Sequence, residues 1–229
     1  MKYQNIKEGI FKKRPNRFLA HVEVEKKEEI CHVKNTGRCK ELLIEGVTVY
    51  VEHHNNPKRK TNYSLIGVKK GDQIVNMDSQ APNKVVMEWL KAGGLYENPS
   101  VIKPEKTYGD SRFDFYVEAE EHRCFIEVKG VTLEEEGIAR FPDAPTERGI
   151  KHIKELGRCI QDGYEAYLIF VIQMKGIVQF EPNNGTQKEF GKALIEAQKK
   201  GVHILAYDCI VTEDSLILDK EIPVQLKEK

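Results

Sequence analysis

The chain has 229 residues and a mass of 26.3 kDa, with 40% hydrophobic and 31% charged residues. This length allows one large hydrophobic core or two modest ones, and the composition excludes disordered and membrane-embedded chains. The net charge is zero, but residues 1–80 hold 16 Lys and Arg against 10 Asp and Glu, a charge of +6, which leaves −6 on residues 81–229. The asymmetry indicates polyanion contact by the first part and metal or catalytic chemistry in the second.

Two absences bear on the compartment. The N-terminal residues lack the apolar core of a signal peptide, and the longest apolar run, residues 166–172, is too short to cross a bilayer. A cytoplasmic protein without a membrane partner is therefore expected. The cysteines are odd in number and form no C-x-x-C pair, which predicts free buried thiols rather than disulfides or a zinc site. They are Cys31, Cys39, Cys124, Cys159 and Cys209.

Short strands separated by turn residues are predicted in the first part of the chain, at residues 18–24, 29–33, 42–51, 63–68 and 73–77. The breaks between them are rich in Asn, Gly, Pro and Asp. Five strands within about 60 residues, without a helical pattern, favour a small closed barrel such as the OB-fold. An SH3-like barrel has a similar pattern. Residues 1–80 are thus predicted to be a basic, OB-fold-like, nucleic-acid-binding domain.

The hydrophobic period changes near Pro82, where a helical stripe begins that ends at Gly93 and Gly94. Strands are predicted at residues 113–117, 123–133, 164–173 and 202–207, with helices at residues 146–162 and 186–201. The second helix opens with Thr186 and Glu189 at capping-box spacing. Alternating strands and helices predict that residues 81–229 form an α/β domain with a mixed sheet and the apolar 164–173 strand near its centre.

The residues with the clearest chemical implication are Asp114, Glu127 and Lys129. On two neighbouring antiparallel strands, the two carboxylates could face one divalent ion, and Lys129 shares the face of Glu127 because side chains alternate along a strand. Carboxylate oxygens suit Mg²⁺ or Mn²⁺, which would activate water for phosphodiester hydrolysis, while the lysine orients that water. Glu127 and Lys129 interrupt an apolar strand, where charged residues are costly unless paired or ligated. A structural salt bridge is the alternative interpretation. Glu25 and Lys27 repeat the tripeptide pattern in an ordinary charged run.

Several motifs occur in order over most of the chain: Arg14-Pro15-Asn16-Arg17-Phe18, Asn35-Thr36-Gly37-Arg38, Tyr108-Gly109-Asp110-Ser111-Arg112-Phe113-Asp114, Glu127-Val128-Lys129-Gly130-Val131-Thr132-Leu133, and Phe141-Pro142-Asp143-Ala144-Pro145-Thr146-Glu147-Arg148-Gly149-Ile150-Lys151-His152. With them, the chain resembles the sugar fermentation stimulation protein A family, whose members look like an OB-type domain joined to a PD-(D/E)xK, restriction-endonuclease-like domain.

The resemblance implies non-specific DNA binding and a regulatory link to sugar catabolism of the maltose type, while its fold suggests nuclease activity. It puts Asp114 and Glu127 at the ligand positions of the nuclease motif and Lys129 at its lysine. The proline that starts the motif is replaced here by Phe113. Glu88, on the helix before the strands, could supply the extra acidic ligand that many such nucleases use. A solvated helix residue is the other interpretation of Glu88.

Basic residues that could contact nucleic acid occur in both parts of the chain. Arg148 and His152 lie at i,i+4 spacing on the helix predicted at residues 146–162, so both can face a phosphate. Lys12, Lys13, Arg14 and Arg17 cluster before the first predicted strand, and Arg38 follows in a predicted loop. Arg112 lies beside the candidate ligands. Phe18, Tyr50 and Tyr63 are available for base stacking, although core positions would equally explain them.

Three functions remain open at this stage. The first is a DNA-binding protein with a metal-dependent phosphodiesterase site that uses Mg²⁺ or Mn²⁺. The second is a catalytically silent, non-specific DNA-binding regulator of sugar catabolism. The third is an RNA-binding or RNA-processing protein, because barrels of this kind also bind single strands.

Overall fold

The first part of the chain folds into a β-barrel, in a computed structural model that describes residues 1–35 and 37–227. Its strands are β1 (Ile6–Asn16), β2 (Leu19–Val24), β3 (Lys27–Val33), β4 (Thr48–His53), β5 (Tyr63–Lys70) and β6 (Gln73–Asn76). The strand order is β3-β2-β1-β4-β5-β6, and parallel pairing of β3 with β5 closes the first five strands. Ala20, Val22 and Val24 alternate into the interior. The predicted OB-like barrel is confirmed.

Strand β1 was not predicted, because its sequence hides the usual alternation behind five charged residues. Gly9 and Phe11 are its buried positions, so little apolar signal marks the strand. Lys12, Lys13 and Arg14 therefore lie within β1, and placing them before the first strand was wrong. The strand predicted at residues 42–51 begins only at Thr48, because Leu42 and Leu43 turn back to the Cys39 carbonyl.

A mixed six-stranded sheet forms the centre of the second part. It consists of β7 (Val101–Tyr108), β8 (Ser111–Ala119), β9 (His122–Val131), β12 (Glu165–Ile172), β14 (His203–Val211) and β15 (Leu216–Glu221) in the order β15-β14-β12-β9-β8-β7. Strand β12 runs parallel to both β9 and β14. A small sheet adds β10 (Leu133–Glu135), β11 (Ile138–Phe141) and β13 (Gln179–Pro182). The mixed sheet with its apolar strand in the interior is confirmed, whereas β7, β15 and the small sheet were not predicted.

Helices cover both faces of the large sheet. Helix α1 (Ala81–Lys91) packs on one face, where Val85 and Leu90 join a core with Ile126 and Ile169. Helices α2 (Glu147–Gln161) and α3 (Lys188–Lys199) pack on the other. The Thr146 hydroxyl caps α2 by accepting from the N–H of Gly149 at 3.0 Å.

The capping box predicted at Thr186 and Glu189 was wrong. The N-cap residue of α3 is Gln187, whose side chain makes no cap hydrogen bond. Thr186 lies in a turn instead, because its N–H and that of Gln187 both donate to the Asn183 carbonyl at 3.0 Å.

The barrel and the α/β part meet through buried polar contacts and a shared hydrophobic core. Asn76 donates its N–H to the Gln173 carbonyl at 2.9 Å, and its Oδ1 accepts from Gln173 Nε2 at 2.8 Å. The main core cluster extends from Phe11 in the barrel to Phe170 in β12. The two parts therefore stabilise each other, and their common boundary lies beside the end of β9.

Two further expectations concern composition. All five cysteines are free and buried. Within residues 1–35 and 37–227, no helix is both long and apolar enough to cross a bilayer.

Candidate metal and nucleic-acid site

Asp114 and Glu127 lie at the point where the β8–β9 ladder ends. The last paired residues of that ladder are Phe115 and Ile126, so the two acidic residues follow directly on neighbouring antiparallel strands. Lys129, two residues farther along β9, forms an ion pair with Glu127 Oε1. The structure thus brings together the three residues that the sequence singled out.

Glu127 is almost completely buried, with only 3% of its surface exposed. Its Oε1 accepts hydrogen bonds from Lys129 Nζ and, at 2.6 Å, from His152 Nδ1. Burial raises the pKa of the Glu127 carboxyl, but the bonds from His152 and Lys129 outweigh burial and bring the pKa below its usual value. Its Oε2 is buried without a hydrogen-bond partner among the described residues. Glu127 is therefore an anion with one oxygen free to accept a ligand.

Asp114 is fixed by two hydrogen bonds. Its Oδ1 accepts from Asn83 Nδ2 at 2.7 Å, and its Oδ2 accepts from the backbone N–H of Val128 at 2.8 Å. Burial, and then the neighbouring charge of Glu127, raise the pKa of Asp114 despite these bonds. Two carboxylates that destabilise each other's charge in a buried site are stabilised by a shared cation.

Asn83 was not identified from the sequence. It lies in the first turn of α1, and its contact with Asp114 joins residues that are 31 positions apart. The available signal was indirect, since Ala81-Pro82 predicts a helix start and thereby puts Asn83 at the helix end that faces the strands.

His152 orients Glu127 from α2. It is only 5% exposed, and its Nε2 lies 3.4 Å from Arg148 Nε, which can only donate. Nε2 therefore accepts, and the proton resides on Nδ1, which donates to Glu127. His152 lies beneath the carboxylate with both ring nitrogens engaged, while Arg148 is exposed beside it. The two residues share a helix face as expected, but only Arg148 is open to a phosphate.

Glu88 lies apart from the carboxylate pair. Its side chain is 60% exposed and forms an ion pair at 2.6 Å with the N-terminal ammonium of Met1. It follows Asn83 by more than one helical turn, so Asn83 occupies the position near Asp114 that was assigned to Glu88. Arg112 is exposed and pairs with Glu105 at 3.6 Å on the edge strand β7. The structure does not bring Glu88 or Arg112 into the group around Glu127.

The donor set is compatible with a hard divalent cation. Asp114 and Glu127 offer carboxylate oxygens, and Glu127 Oε2 is the buried acceptor that lacks a partner. In the part of the chain that the structure describes, no three His, Cys, Asp or Glu side chains cluster as a metal site. An ion here would complete its coordination with backbone oxygens and water, as Mg²⁺ commonly does.

The barrel carries a groove of about 590 Å³ between the β1–β2 hairpin and residues 37–45. We call it the basic groove. Its cationic lining residues are Lys12, Lys13, Arg14, Arg17, Arg38 and Lys40, and Glu45 is the acidic residue among its lining. Beside it, Phe18 is 48% exposed and the Arg17 guanidinium lies 5.2 Å from the centre of its ring. Tyr50 and Tyr63 are buried, so of the three aromatic candidates only Phe18 is open for stacking.

Arg14 has a different role from its neighbours in the basic groove. Its two Nη atoms donate to the backbone carbonyls of Asn35, Gly37, Arg38 and Arg17, at 2.7 to 2.9 Å. Arg14 therefore holds the 35–38 segment in place and has no Nη–H left for a phosphate. Thr36, within that motif, lies outside the described residues. Lys12 is paired with Glu23 at 2.8 Å. Lys13, Arg17 and Arg38 are exposed.

Comparisons with known proteins agree with this architecture. Two family models match: "SfsA N-terminal OB domain" over residues 13–77 and "Sugar fermentation stimulation protein RE domain" over residues 80–215. A sugar fermentation stimulation protein homolog of Ruminiclostridium cellulolyticum is 60% identical over 99% of this chain and 100% of its own. One from Clostridium beijerinckii is 62% identical over 94% and 96%. The structure of Pyrococcus furiosus SfsA in complex with Ca²⁺ matches with a TM-score of 0.89, at 29% identity over 98% of each chain.

Proposed function

Because the chain belongs to the sugar fermentation stimulation protein family, we propose that it binds DNA and cleaves it at a divalent-metal site formed by Asp114, Glu127 and Lys129. The observation that carries the proposal is the unpartnered Oε2 of Glu127. A buried carboxylate oxygen without a hydrogen bond costs free energy unless something else binds it. A cation shared with Asp114 satisfies this need and offsets the repulsion between the two carboxylates.

Support for the ion comes from outside the chain as well. The Pyrococcus furiosus relative is described in complex with Ca²⁺. Ca²⁺ and Mg²⁺ both prefer oxygen ligands, so a site for one often accepts the other. Similarity over nearly the whole length of both chains makes transfer of a divalent-cation site to this protein reasonable.

Each residue has a defined task in this proposal. A bound Mg²⁺ or Mn²⁺ supplies Lewis-acid polarisation of a phosphoryl oxygen and lowers the pKa of a bound water. Asp114 and Glu127 hold the cation, and Asn83 and His152 fix the orientation of these two carboxylates. Lys129 has three N–H donors, of which one goes to Glu127. Its other donors can orient the attacking water and stabilise charge on the phosphate. Arg148, exposed beside His152, can bind a phosphate oxygen.

The direct test is incubation of the pure protein with labelled single- and double-stranded DNA and with RNA, in Mg²⁺, Mn²⁺ or EDTA. Cleavage of DNA that requires the metal supports the proposal. Cleavage of RNA alone would replace it with an RNA-processing function. Metal binding without cleavage of any substrate would leave only DNA binding.

A second candidate function is a catalytically silent, non-specific DNA-binding regulator of sugar catabolism. One observation favours it: Glu127, Lys129 and His152 form an ion network in which Lys129 already has an anionic partner. Such a network can persist as a structural salt bridge after activity is lost. The incubation described above separates the two candidates, because only the enzyme turns substrate over.

We expect the basic groove to carry the electrostatic part of DNA binding. Changing Lys13, Arg17 and Arg38 to Gln together should weaken binding similarly for all sequences and lower the salt dependence by about one unit of slope per lost phosphate contact. Fluorescence anisotropy over a range of salt concentrations measures both effects. The matched control changes Lys26 and Lys27 in the β2–β3 turn. An equal loss in the control would assign binding to overall charge rather than to the groove.

His152 is expected to act on the metal through Glu127. His152→Ala should lower Mn²⁺ affinity by about 10- to 100-fold, as substitution of residues that orient metal ligands commonly does. His152→Asn should recover part of this loss, because an amide N–H can replace Nδ1 as the donor to Glu127. Calorimetric titration with Mn²⁺ gives the comparison, with His203→Ala as a histidine control elsewhere in the fold. Equal affinity in all three variants would contradict the role.

A further inference from the structure

A narrower cleft adjoins the basic groove. It has a volume of about 170 Å³ and lies between the barrel and the α/β part, with Asn35, Gly37, Ser79, Gly130, Thr132 and Asp143 among its lining residues. We call it the seam cleft. Gly37 lines both the seam cleft and the basic groove. The two concave surfaces therefore meet at this residue.

The other end of the seam cleft reaches the candidate metal site. Gly130 directly follows Lys129 on β9, so their Cα atoms are about 3.8 Å apart. A Cβ at Gly130 would lie 2.8 Å from Pro82 Cγ and 2.6 Å from Gln173 Oε1, which shows how closely the start of α1 approaches β9. The residue after Pro82 is Asn83, which binds Asp114. The groove, the cleft and the two carboxylates thus form a continuous series along the surface.

The dimensions and chemistry of this series suit one strand rather than two. A cleft of about 170 Å³ admits a single extended chain but not a duplex. The exposed ring of Phe18, with Arg17 beside it, offers a stacking surface that only an unpaired base can use. At the junction, the carboxylate of Asp143 lies where a Cβ on Gly37 would be 2.5 Å from its Oδ2. This negative charge disfavours a phosphate there and favours the donor groups of a base edge.

We propose that a single unpaired DNA strand runs from the basic groove past Gly37 and through the seam cleft to Asp114 and Glu127, so that the barrel delivers the strand to the carboxylates. The proposal rests on the proposed function, since it takes DNA as the ligand. Arg14 is the positioning residue at the junction. Its four bonds to backbone carbonyls fix the 35–38 segment that forms one wall of the passage.

Photo-crosslinking in EDTA tests this path without requiring cleavage. Oligothymidylates with one 4-thiothymidine at successive positions are irradiated with the wild-type protein, and the crosslinked peptides are identified by mass spectrometry. We expect one end of the strand to crosslink to residues 12–18 and the other to residues 129–132, with a fixed number of nucleotides between them. Crosslinks to residues 12–18 at every position would overturn the proposal. Failure of the proposed nuclease would instead appear as this crosslink pattern without cleavage in Mg²⁺ or Mn²⁺.

Two substitutions sharpen the test. Phe18→Ala should lower affinity for oligothymidylate by about 10-fold while affinity for duplex DNA is unchanged. Ile30→Ala, which removes a comparably exposed apolar side chain of the barrel, is its control. Arg14→Lys should retain crosslinks to residues 12–18 and lose those to residues 129–132, whereas Arg17→Lys should retain both. Tighter binding of duplex than of single strands by the wild-type protein would also refute the path.

Discussion

Asp114→Asn abolishes stoichiometric Mn²⁺ binding and all cleavage, whereas Lys129→Ala retains the metal and loses at least about 100-fold in hydrolysis: this ordering is the expected result. Asp114 contributes a charged ligand, and an amide is a far weaker one. The substitution should leave the fold intact, because Asn83 can turn its amide and the Val128 N–H can still donate to the new side-chain oxygen. Lys129 is not a ligand, so its loss removes only the group that orients the water.

Calorimetry with Mn²⁺ and a labelled-DNA cleavage assay measure the two properties separately. In EDTA, Asp114→Asn should bind DNA as well as the wild-type protein or slightly better, because one carboxylate no longer repels the phosphates. Lys84→Ala, on the same helix turn as Asn83, serves as a lysine control for the Lys129 variant. If wild-type protein binds no Mn²⁺, then Asp114, Glu127 and Lys129 are only a structural salt bridge. If Lys129→Ala loses the metal as well, the lysine's role is to maintain the site.

Asp78→Ala is expected to reduce the free energy of unfolding by about 3 kcal/mol, a large fraction of the stability of a typical protein. Asp78 is fully buried, and its Oδ2 accepts from Lys34 Nζ at 3.0 Å while its Oδ1 accepts from the N–H of Gln80 at 2.9 Å. Removing the carboxylate leaves Lys34 partly buried, with only Glu52 at 3.9 Å as an anionic partner. An uncompensated buried charge is the reason for the size of the loss.

Urea unfolding followed by circular dichroism measures this effect, and Asp72→Ala in the exposed β5–β6 turn is the matched control. Asp78 also accepts, through its backbone carbonyl, from the N–H of Ala81 at the start of α1. The Asp78 variant should therefore lose Mn²⁺ affinity as well, because Asn83 follows in the same helix turn. Unchanged stability in Asp78→Ala would mean that the ion pair with Lys34 is offset by its desolvation.

The sequence predicted those elements whose apolar residues follow a single period. The run at residues 164–173 gave β12, since a strand buried on both faces is continuously apolar. Helix α2 was predicted from its apolar stripe, with Thr146 as the cap and Gly163 at its end. Strand β1 was missed because it buries only Gly9 and Phe11, and a glycine contributes no apolar signal. The edge strand β7 was missed for a related reason, since none of its residues is fully buried.

The candidate ligands were predictable because charge within an apolar strand is costly. That argument needs only neighbouring residues, and it sufficed for Asp114, Glu127 and Lys129. The Glu88 assignment used helix position alone, and the N-terminal ammonium now accounts for that side chain. Asn83 and His152 act on the carboxylates through contacts between residues 31 and 25 positions apart. Such contacts depend on how α1 and α2 pack against the sheet.

The sequence by itself determined that a basic barrel precedes an α/β sheet and that one pair of strands carries two acids and a lysine. These features follow from local periodicity, from the charge distribution and from the cost of burying an ion. Only the tertiary structure decided which oxygen of Glu127 lacks a partner, that Arg14 holds a loop rather than faces solvent, and that the basic groove adjoins the seam cleft. The physical reason is that hydrogen bonding and burial depend on distances between segments far apart in the chain, which no local pattern of residues specifies.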